Sequence, residues 1–244
     1  MTTTATDSRY CVRCHGLVLA DQPARVPWVA PVVVNTADHA VIPGNSGQAL
    51  VMIGYDWKAF RLLYMPLTPG ETPRLHHVRY YHAGLQQWSQ EPTHDEQFKF
   101  ALFKHRHADE DINYTHVSEA WLPDAGHWVV LYAASGGKDK PGRPIIARLS
   151  KDLTEWSDEV EVFDPLAQNA FGTFMHEAGQ RDGIDRMPPR NGALDESGWA
   201  YGAFILEPFT RFDRESRQLR LFYLMSTSNP YQVHVMQTVL RLPP

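Results

Sequence analysis

The segment Thr115–Leu122 reads Thr-His-Val-Ser-Glu-Ala-Trp-Leu, and the segment His127–Tyr132 reads His-Trp-Val-Val-Leu-Tyr. The four residues between them are Pro-Asp-Ala-Gly, in which Pro, Asp and Gly are residue types that tight turns favour. Two apolar runs on either side of such a turn predict an antiparallel β-hairpin. Two further short apolar runs follow, Pro144–Leu149 and Val160–Phe163, so the sequence predicts four consecutive antiparallel strands here.

The same plan of short apolar runs and turns recurs on both sides of this segment. Trp88-Ser89 and Trp156-Ser157 stand at matching places, between the third and fourth predicted strands of two segments. Repeats of four short antiparallel strands are typical of β-propeller blades. We therefore predict an all-β fold, a β-propeller of four-stranded antiparallel blades. The other predicted strands are Ala49–Gly54, Arg61–Leu67, His76–Ala83 and Phe98–Phe103 before the hairpin, and Ala203–Arg211, Gln218–Met225 and Gln232–Leu240 after it.

The chain length supplies about three full blades and a partial N-terminal one. The prediction is a flexible tail at 1–9 and a single propeller domain at 10–242. That domain consists of a partial blade at 10–43, blades at 48–103 and 113–163, an insertion loop at 164–199 and a blade at 200–242. We expect Ala49–Gly54, His116–Leu122 and Ala203–Leu206 to be the innermost strands of three successive blades.

This number of blades is too small to close a ring. Propellers usually need about four to eight blades, because closure protects the strand edges. We therefore expect a five-bladed type of propeller that is truncated or incomplete, and self-association through an open sheet edge.

The composition is that of an ordinary globular protein. With 43% hydrophobic and 21% charged residues, the 244-residue chain can bury one sizeable core. The formal net charge of −5 favours neither nucleic acid nor an anionic membrane surface as a partner. The polar, Thr-rich segment Met1–Arg9 has no apolar leader, so we expect a cytoplasmic protein as written, and an exported one if an upstream segment is missing.

Both cysteines fall in Cys11-Val12-Arg13-Cys14-His15, which has the spacing used to attach c-type haem. Attachment of this kind normally follows export, and no helical pattern surrounds the motif. A cysteine pair can also supply two ligands of a zinc site, to which His15 or His39 would add. The third alternative, two reduced thiols in an N-terminal hairpin, is the interpretation we adopt, so we expect no cofactor and no metal site.

Four stretches of the sequence resemble a bacterial domain family long labelled as a domain of unknown function. They are Tyr114–Ser118, Trp156–Phe163, Trp199–Phe204 and Tyr223–Val233, and the last is the most specific. Characterised members of this family are five-bladed β-propeller glycoside hydrolases that act as endo-D-arabinanases. The resemblance covers roughly Gln48 to Leu242 and implies a glycoside hydrolase acting on a furanose-rich polysaccharide such as D-arabinan.

An alternative follows from a departure from this family. Its members look longer at the N-terminus, and related five-bladed glycosidases commonly carry a catalytic carboxylate in an early blade. That blade is absent or degenerate here. The alternative function is therefore a non-catalytic sugar-binding or assembly propeller, which has lost an N-terminal catalytic blade and binds a polysaccharide or oligosaccharide without cleaving it.

Glycoside hydrolysis usually needs two carboxylates, one as general acid and one as base or nucleophile. Asp38 precedes the apolar run Ala49–Gly54 and is our candidate base or nucleophile. For the acid we select Glu177, because two apolar residues shortly before it can desolvate a carboxyl group. Asp182 and Asp185 in the same insertion are the alternatives. For each of these residues the alternative interpretation is a turn residue or a solvated charge in a loop, with no catalytic role.

Other polar residues are predicted to bind substrate. Imidazole, amide and phenol groups hydrogen-bond sugar hydroxyls, and aromatic rings stack on the C–H face of a sugar ring. A strand His is also often a satisfied core residue, and this alternative stays open. Asp56 and Glu119, in contrast, are expected to face outward or to cap turns. The predicted substrate-binding residues are Asn113, His116, His176 and Tyr201.

Overall fold

The computed structural model describes residues 32–35, 39, 42, 47–56, 59–72, 77–82, 84–90, 117–134, 142–180 and 197–242. The regular elements in these ranges are thirteen antiparallel β-strands, without an α-helix, so the predicted all-β class is confirmed. Accordingly, these ranges contain no helix that could cross a membrane. The strands fall into two compact units, which are described in turn.

The first unit is a five-stranded antiparallel sheet together with Ser150–Trp156. β2 and β3 pair along their full lengths, and β1 pairs with the other edge of β2, with Val32 opposite Val51. The predicted strand Ala49–Gly54 is therefore not the first strand of its sheet, because a run of β-branched valines in β1 adds to the edge of β2. In chain order the strands are β1 (Val32–Asn35), β2 (Gln48–Asp56), β3 (Ala59–Leu67), β4 (Arg79–His82) and β5 (Gln87–Ser89).

Trp88 packs within this sheet. Its ring centroid lies 4.4 Å from that of Tyr64, edge to face, and 5.1 Å from that of Tyr81. Such aromatic pairs contribute roughly 0.5–1.5 kcal/mol beyond the area they bury. The Trp88-Ser89 pair is therefore part of strand β5, and not a spacer before the next strand as predicted. The predicted strand Phe98–Phe103 lies outside the described residues.

The second unit contains two four-stranded antiparallel sheets. Four strands in chain order form one of them, β6 (Val117–Leu122), β7 (His127–Ala133), β8 (Ile145–Ser150) and β9 (Val160–Phe163). The other is formed by β10 (Trp199–Ile205), β11 (Arg211–Asp213), β12 (Gln218–Ser228) and β13 (Gln232–Arg241). β10 and β11 pair with successive parts of one edge of β12, and β13 pairs with its other edge.

The two sheets of the second unit pack their apolar faces together. Along β12, Leu219, Leu221, Tyr223 and Met225 are buried in this core, and the residues between them are exposed or half-buried. Two hydrogen bonds reinforce the packing. The Ile205 N–H donates to Ser118 Oγ at 3.1 Å, and the Thr238 hydroxyl donates to the Val162 carbonyl oxygen at 3.0 Å. The opposite face of the β10–β13 sheet is less covered.

Glu119 is buried, so the expectation that it faces outward is wrong. Only 3% of the residue is exposed. The residues Val117 to Ala120 of β6 are all buried, although successive strand residues point to opposite faces. Both faces of β6 are therefore covered, and a carboxylate in this strand is buried whichever face it occupies.

A buried ion pair ties β8 to the residues just before β9. Arg148 Nη2 lies 3.1 Å from Glu159 Oε1, and both side chains are almost fully buried. The Tyr132 hydroxyl donates to the same Oε1 at 3.0 Å and accepts from Arg148 Nε at 3.2 Å. Burial raises the pKa of Tyr132 well above its usual range, so its hydroxyl keeps the proton that it donates.

Candidate functional site

The turn between β12 and β13 is the starting point of the candidate site. Asn229, Pro230 and Tyr231 connect the two longest strands of the β10–β13 sheet. Asn229 has a φ of +56°, in the left-handed region that Asn tolerates better than most residues. The Thr227 hydroxyl donates to the Pro230 carbonyl oxygen at 2.9 Å, which closes the turn. The turn presents Tyr231 to solvent, with 69% of the residue exposed.

The insertion loop reaches this turn through its backbone. The His176 N–H donates to the Asn229 carbonyl oxygen at 2.9 Å, and the Gly198 N–H donates to the His176 carbonyl oxygen at 2.8 Å. A Cβ atom on Gly198 would lie 2.6 Å from the Asn229 carbonyl oxygen and 2.9 Å from that of Ser228. Gly198 therefore permits a close approach of three backbone segments, which fixes His176 beside the turn.

The side chain of His176 is held by the same residue. Nδ1 of His176 lies 3.0 Å from Oδ1 of Asn229. With the amide oxygen as acceptor, Nδ1 is the donor of this hydrogen bond. His176 is half-buried, so this contact fixes the imidazole in orientation and tautomer near the surface.

Tyr201 lies on β10, close to the turn. Its Cα partner on β12 is Ser226, and its ring centroid lies 6.0 Å from that of Tyr231 at an angle of 50°. Burial, reinforced by the Tyr231 hydroxyl, raises the pKa of Tyr201 above its usual range. The phenol of Tyr201 therefore stays protonated at neutral pH, with its oxygen buried beside the Tyr231 ring.

Trp199 extends the aromatic surface along β10. It lies two residues before Tyr201, so the two side chains point to the same face of the sheet. Ala200 between them is buried in the core on the other face. The guanidinium carbon of Arg143 lies 5.0 Å from the centre of the Trp199 ring, a cation–π distance. We call the set of Trp199, Tyr201, Tyr231, His176 and Asn229 the aromatic corner.

A second imidazole lies near the corner, on β13. The His234 ring packs 4.7 Å from that of Phe174 in the insertion loop, and Nε2 lies 3.5 Å from Thr227 Oγ1. Burial lowers the pKa of His234 below its ordinary value. His234 therefore joins the insertion loop to β13 in its neutral form.

Three of the predicted site residues lie in the described part of the chain. His176 and Tyr201 both belong to the aromatic corner, where the structure connects them through the Asn229–Tyr231 turn. Glu177 follows His176 and is exposed, so the desolvation expected from its apolar neighbours is not present. Its backbone N–H donates to Gln180 Oε1 at 3.1 Å. The candidates that lie outside the described residues are Asp38, Asn113, His116, Asp182 and Asp185.

The cysteine motif at Cys11 and Cys14 lies outside the described residues as well. Within the described ranges, no group of three or more His, Cys, Asp or Glu side chains comes together in a way that could hold a metal ion. His39 is buried in the first unit.

Sequence reasoning did not select three residues of the corner. Trp199, Asn229 and Tyr231 fall in stretches that carry the family resemblance, but none was chosen as a site residue. The signal was present for the turn, since Asn-Pro after a long alternating strand indicates a sharp connection. The contact between Asn229 and His176 had no such signal, because the two residues are 53 positions apart in the chain.

Comparison with known proteins gives distant structural likenesses. No protein-family model matches the chain, and no curated protein matches it in sequence. The structure of alpha-L-arabinanase from Penicillium chrysogenum, complexed with arabinobiose, is 8% identical over 87% of this chain and 46% of that chain, with a TM-score of 0.39. An N-acetylgalactosamine deacetylase from F. plautii, in complex with blood group B trisaccharide, is 13% identical over 91% of this chain and 51% of that chain, with a TM-score of 0.38. The chain spans about half the length of the two matched proteins.

Proposed function

We propose that the aromatic corner binds a carbohydrate chain, and that the protein is a carbohydrate-active protein of the β-propeller type. The observation that carries the proposal is the exposed Tyr231 ring beside Tyr201, on a turn whose Asn229 also orients His176. The ring faces and the hydrogen-bonding groups therefore lie together at one end of a single sheet.

The chemistry of the corner suits a sugar. A pyranose or furanose ring has an apolar C–H face that packs on an aromatic ring, while its hydroxyls need both donors and acceptors. The exposed Tyr231 supplies a phenol hydroxyl as well as a ring face, and the half-buried imidazole of His176 is oriented beside it by Asn229. Trp199 adds an indole ring face along β10. These groups match the needs of a neutral saccharide better than those of a charged ligand.

The finer proposal is a glycoside hydrolase that acts on a furanose-rich polysaccharide such as D-arabinan by a two-carboxylate mechanism. Its support is the family resemblance, whose stretches Trp199–Phe204 and Tyr223–Val233 contain four of the five corner residues. Glu177 is the proposed general acid because it directly follows His176. Its exposed carboxyl would be desolvated only when a bound saccharide covers it. The second carboxylate is proposed to be Asp38, with Asp182 and Asp185 as alternatives.

The second candidate function is sugar binding without cleavage. The corner contains aromatic, amide and imidazole groups and needs no carboxylate to bind a saccharide. Binding and hydrolysis therefore depend on different residues, and variants can separate them.

Binding is tested by calorimetry with arabinan and other oligosaccharide fragments on the full chain. Tyr231→Ala should weaken binding at least about fivefold, since stacking of this kind is worth roughly 1–3 kcal/mol by analogy with base stacking on aromatic residues. Phe209→Ala is the matched control, because Phe209 is a similarly exposed aromatic residue in a turn after β10. Equal losses in both variants, or no loss in Tyr231→Ala, would overturn the proposal.

Hydrolysis is tested by following the release of reducing ends from D-arabinan. Glu177→Gln should remove most of the release while leaving the affinity for the oligosaccharide within about threefold, because the amide keeps the shape but cannot give up a proton. Asp38→Asn, Asp182→Asn and Asp185→Asn then identify the second carboxylate. If the parent protein binds and releases no reducing ends, the protein is a binder.

A further inference from the structure

At the end of the β10–β13 sheet remote from the aromatic corner, two arginines stand directly opposite each other. Arg211 on β11 is the Cα partner of Arg220 on β12. Cross-strand partners point to the same face of an antiparallel pair, with Cβ atoms about 5 Å apart. Both residues are exposed, on the face away from the core.

Such an arrangement is unfavourable on its own, because like charges directly opposite in a sheet repel each other. Among the described residues, neither arginine forms an ion pair with a carboxylate. Arg211 Nη1 donates to the carbonyl oxygen of its neighbour Thr210 at 2.8 Å. Asp213, which follows Arg211 by two residues on β11, accepts the N–H groups of Glu215 and Ser216 at 2.9 and 3.4 Å. Its carboxylate therefore serves the β11–β12 turn.

The arginine pair lines a surface depression. Its volume is about 250 Å³, several times the roughly 30 Å³ that one water molecule occupies. Val239 on β13 stands opposite Arg220 and forms an apolar wall, and Gln218 adds an amide. The lining residues are Arg211, Phe212, Asp213, Gln218, Arg220 and Val239.

We propose that the Arg211–Arg220 pair binds an oxyanion, a carboxylate or phosphate group carried by a ligand. Guanidinium groups match the oxygens of both groups with parallel N–H bonds. An anion between the two arginines would also offset the repulsion between their two positive charges. The site is independent of the proposed carbohydrate site, since the eight residue steps along β12 from Arg220 to Ser228 span roughly 26 Å.

The proposal predicts opposite effects of one variant with and without anion. In buffer without oxyanions, Arg220→Gln should unfold at a slightly higher temperature than the parent protein, because the repulsion is gone. On titration with inorganic phosphate or with D-glucuronate at constant ionic strength, the parent protein should bind and be stabilised. Arg220→Gln and Arg211→Gln should each bind at least tenfold more weakly.

Arg214→Gln is the matched control, because Arg214 is exposed in the same turn but faces Asp124 at 3.5 Å. It should keep the affinity of the parent protein. Binding of phosphate alone identifies a phosphate ligand, and binding of glucuronate alone identifies a carboxylate. The proposal is overturned if neither anion binds, if chloride at equal ionic strength stabilises as well, or if Arg214→Gln loses as much affinity as Arg220→Gln.

Discussion

His176 and Asn229 are joined by two hydrogen bonds, one between their backbones at 2.9 Å and one between their side chains at 3.0 Å. The backbone bond places the insertion loop against the β12–β13 turn, and the side-chain bond sets the imidazole tautomer. Asn229 thus determines both the position and the chemistry of His176. The left-handed backbone of Asn229 also forms the turn that carries Tyr231. One residue therefore connects the imidazole to the aromatic surface.

Removal of the Asn229 side chain should free the imidazole without breaking the turn. Asn229→Gly keeps the left-handed backbone, because glycine adopts a φ of +56° without strain. We expect ¹⁵N NMR to show a single Nδ1–H tautomer for His176 in the parent protein and a mixture in the variant. Saccharide affinity should fall about fivefold, which corresponds to one hydrogen bond of about 1 kcal/mol.

Asn169→Gly is the control for that variant, since Asn169 also has a left-handed backbone, with a φ of +50° in an exposed turn. The control should leave the His176 signals and the affinity unchanged. A single unchanged tautomer in Asn229→Gly would show that Asn229 does not set it.

The β6–β9 sheet illustrates how much of the fold the sequence predicted. The predicted strands His127–Tyr132 and Val160–Phe163 agree with β7 and β9 within one residue. Turn residues and apolar runs are local signals, and here they agree. β1 shows the limit, because its pairing with β2 depends on which strand edge is available, and that is a property of the folded chain.

The site was less predictable than the fold. Tyr201 and His176 were selected for their chemistry, and they do lie at the same corner. Glu119 was misjudged because a charged strand residue normally faces water, whereas both faces of β6 are covered. Gly198 carried no local signal, since its role depends on how closely the backbone of another turn approaches it.

Gly198→Ala should destabilise the protein. The added Cβ would meet two carbonyl oxygens at 2.6 and 2.9 Å and Met175 Cβ at 3.2 Å. Backbone atoms cannot move aside as a flexible side chain can, so we expect a loss of about 1–3 kcal/mol in the free energy of unfolding. Urea denaturation measures it. Gly47→Ala is the control, because a Cβ there meets nothing within 4 Å, and a similar loss at both positions would refute the packing argument.

Replacing only one partner of the Arg148–Glu159 ion pair should lower the free energy of unfolding more than replacing both partners. Arg148→Leu leaves the carboxylate of Glu159 buried without its ion-pair partner, although the Tyr132 hydroxyl still donates to it. Breaking a buried pair in this way typically costs about 3–5 kcal/mol. The double variant Arg148→Leu with Glu159→Leu removes both charges and should recover part of that loss. Arg214→Leu breaks an exposed pair and should cost less than about 1 kcal/mol. A double variant less stable than Arg148→Leu would contradict this account.

His234 should make the stability depend on pH. Because burial lowers the pKa of His234 in the folded protein, the unfolded chain binds a proton there more readily. The stabilisation is therefore complete above the ordinary histidine value of 6.5 and is lost as the pH falls below it. His234→Phe, which keeps a ring against Phe174, should flatten the decrease between pH 7 and pH 5 in urea denaturation. At pH 8 His234 is neutral in both states, so any difference there measures packing alone.

The outer edge of β13 should mediate self-association. Among the described strands, β13 pairs only with β12, so its other edge presents ten residues of backbone. Val233, Val235 and Val239 alternate along the open face of this strand, and Val235 is 69% exposed. No Pro or charged residue interrupts the strand before Arg241, and both are the usual devices that keep an edge from pairing. A second copy could therefore pair antiparallel with this edge and continue the sheet, with the valines of both copies on one face.

Light scattering over a range of concentrations should show a dimer or larger species for the parent protein. Val235→Lys should shift it to a monomer, because the lysines of the two copies would lie on the same face of the paired strands, where like charges repel each other. Val160→Lys, on the short edge strand β9, should leave the association unchanged. A parent protein that stays monomeric at all concentrations would show that this edge is covered.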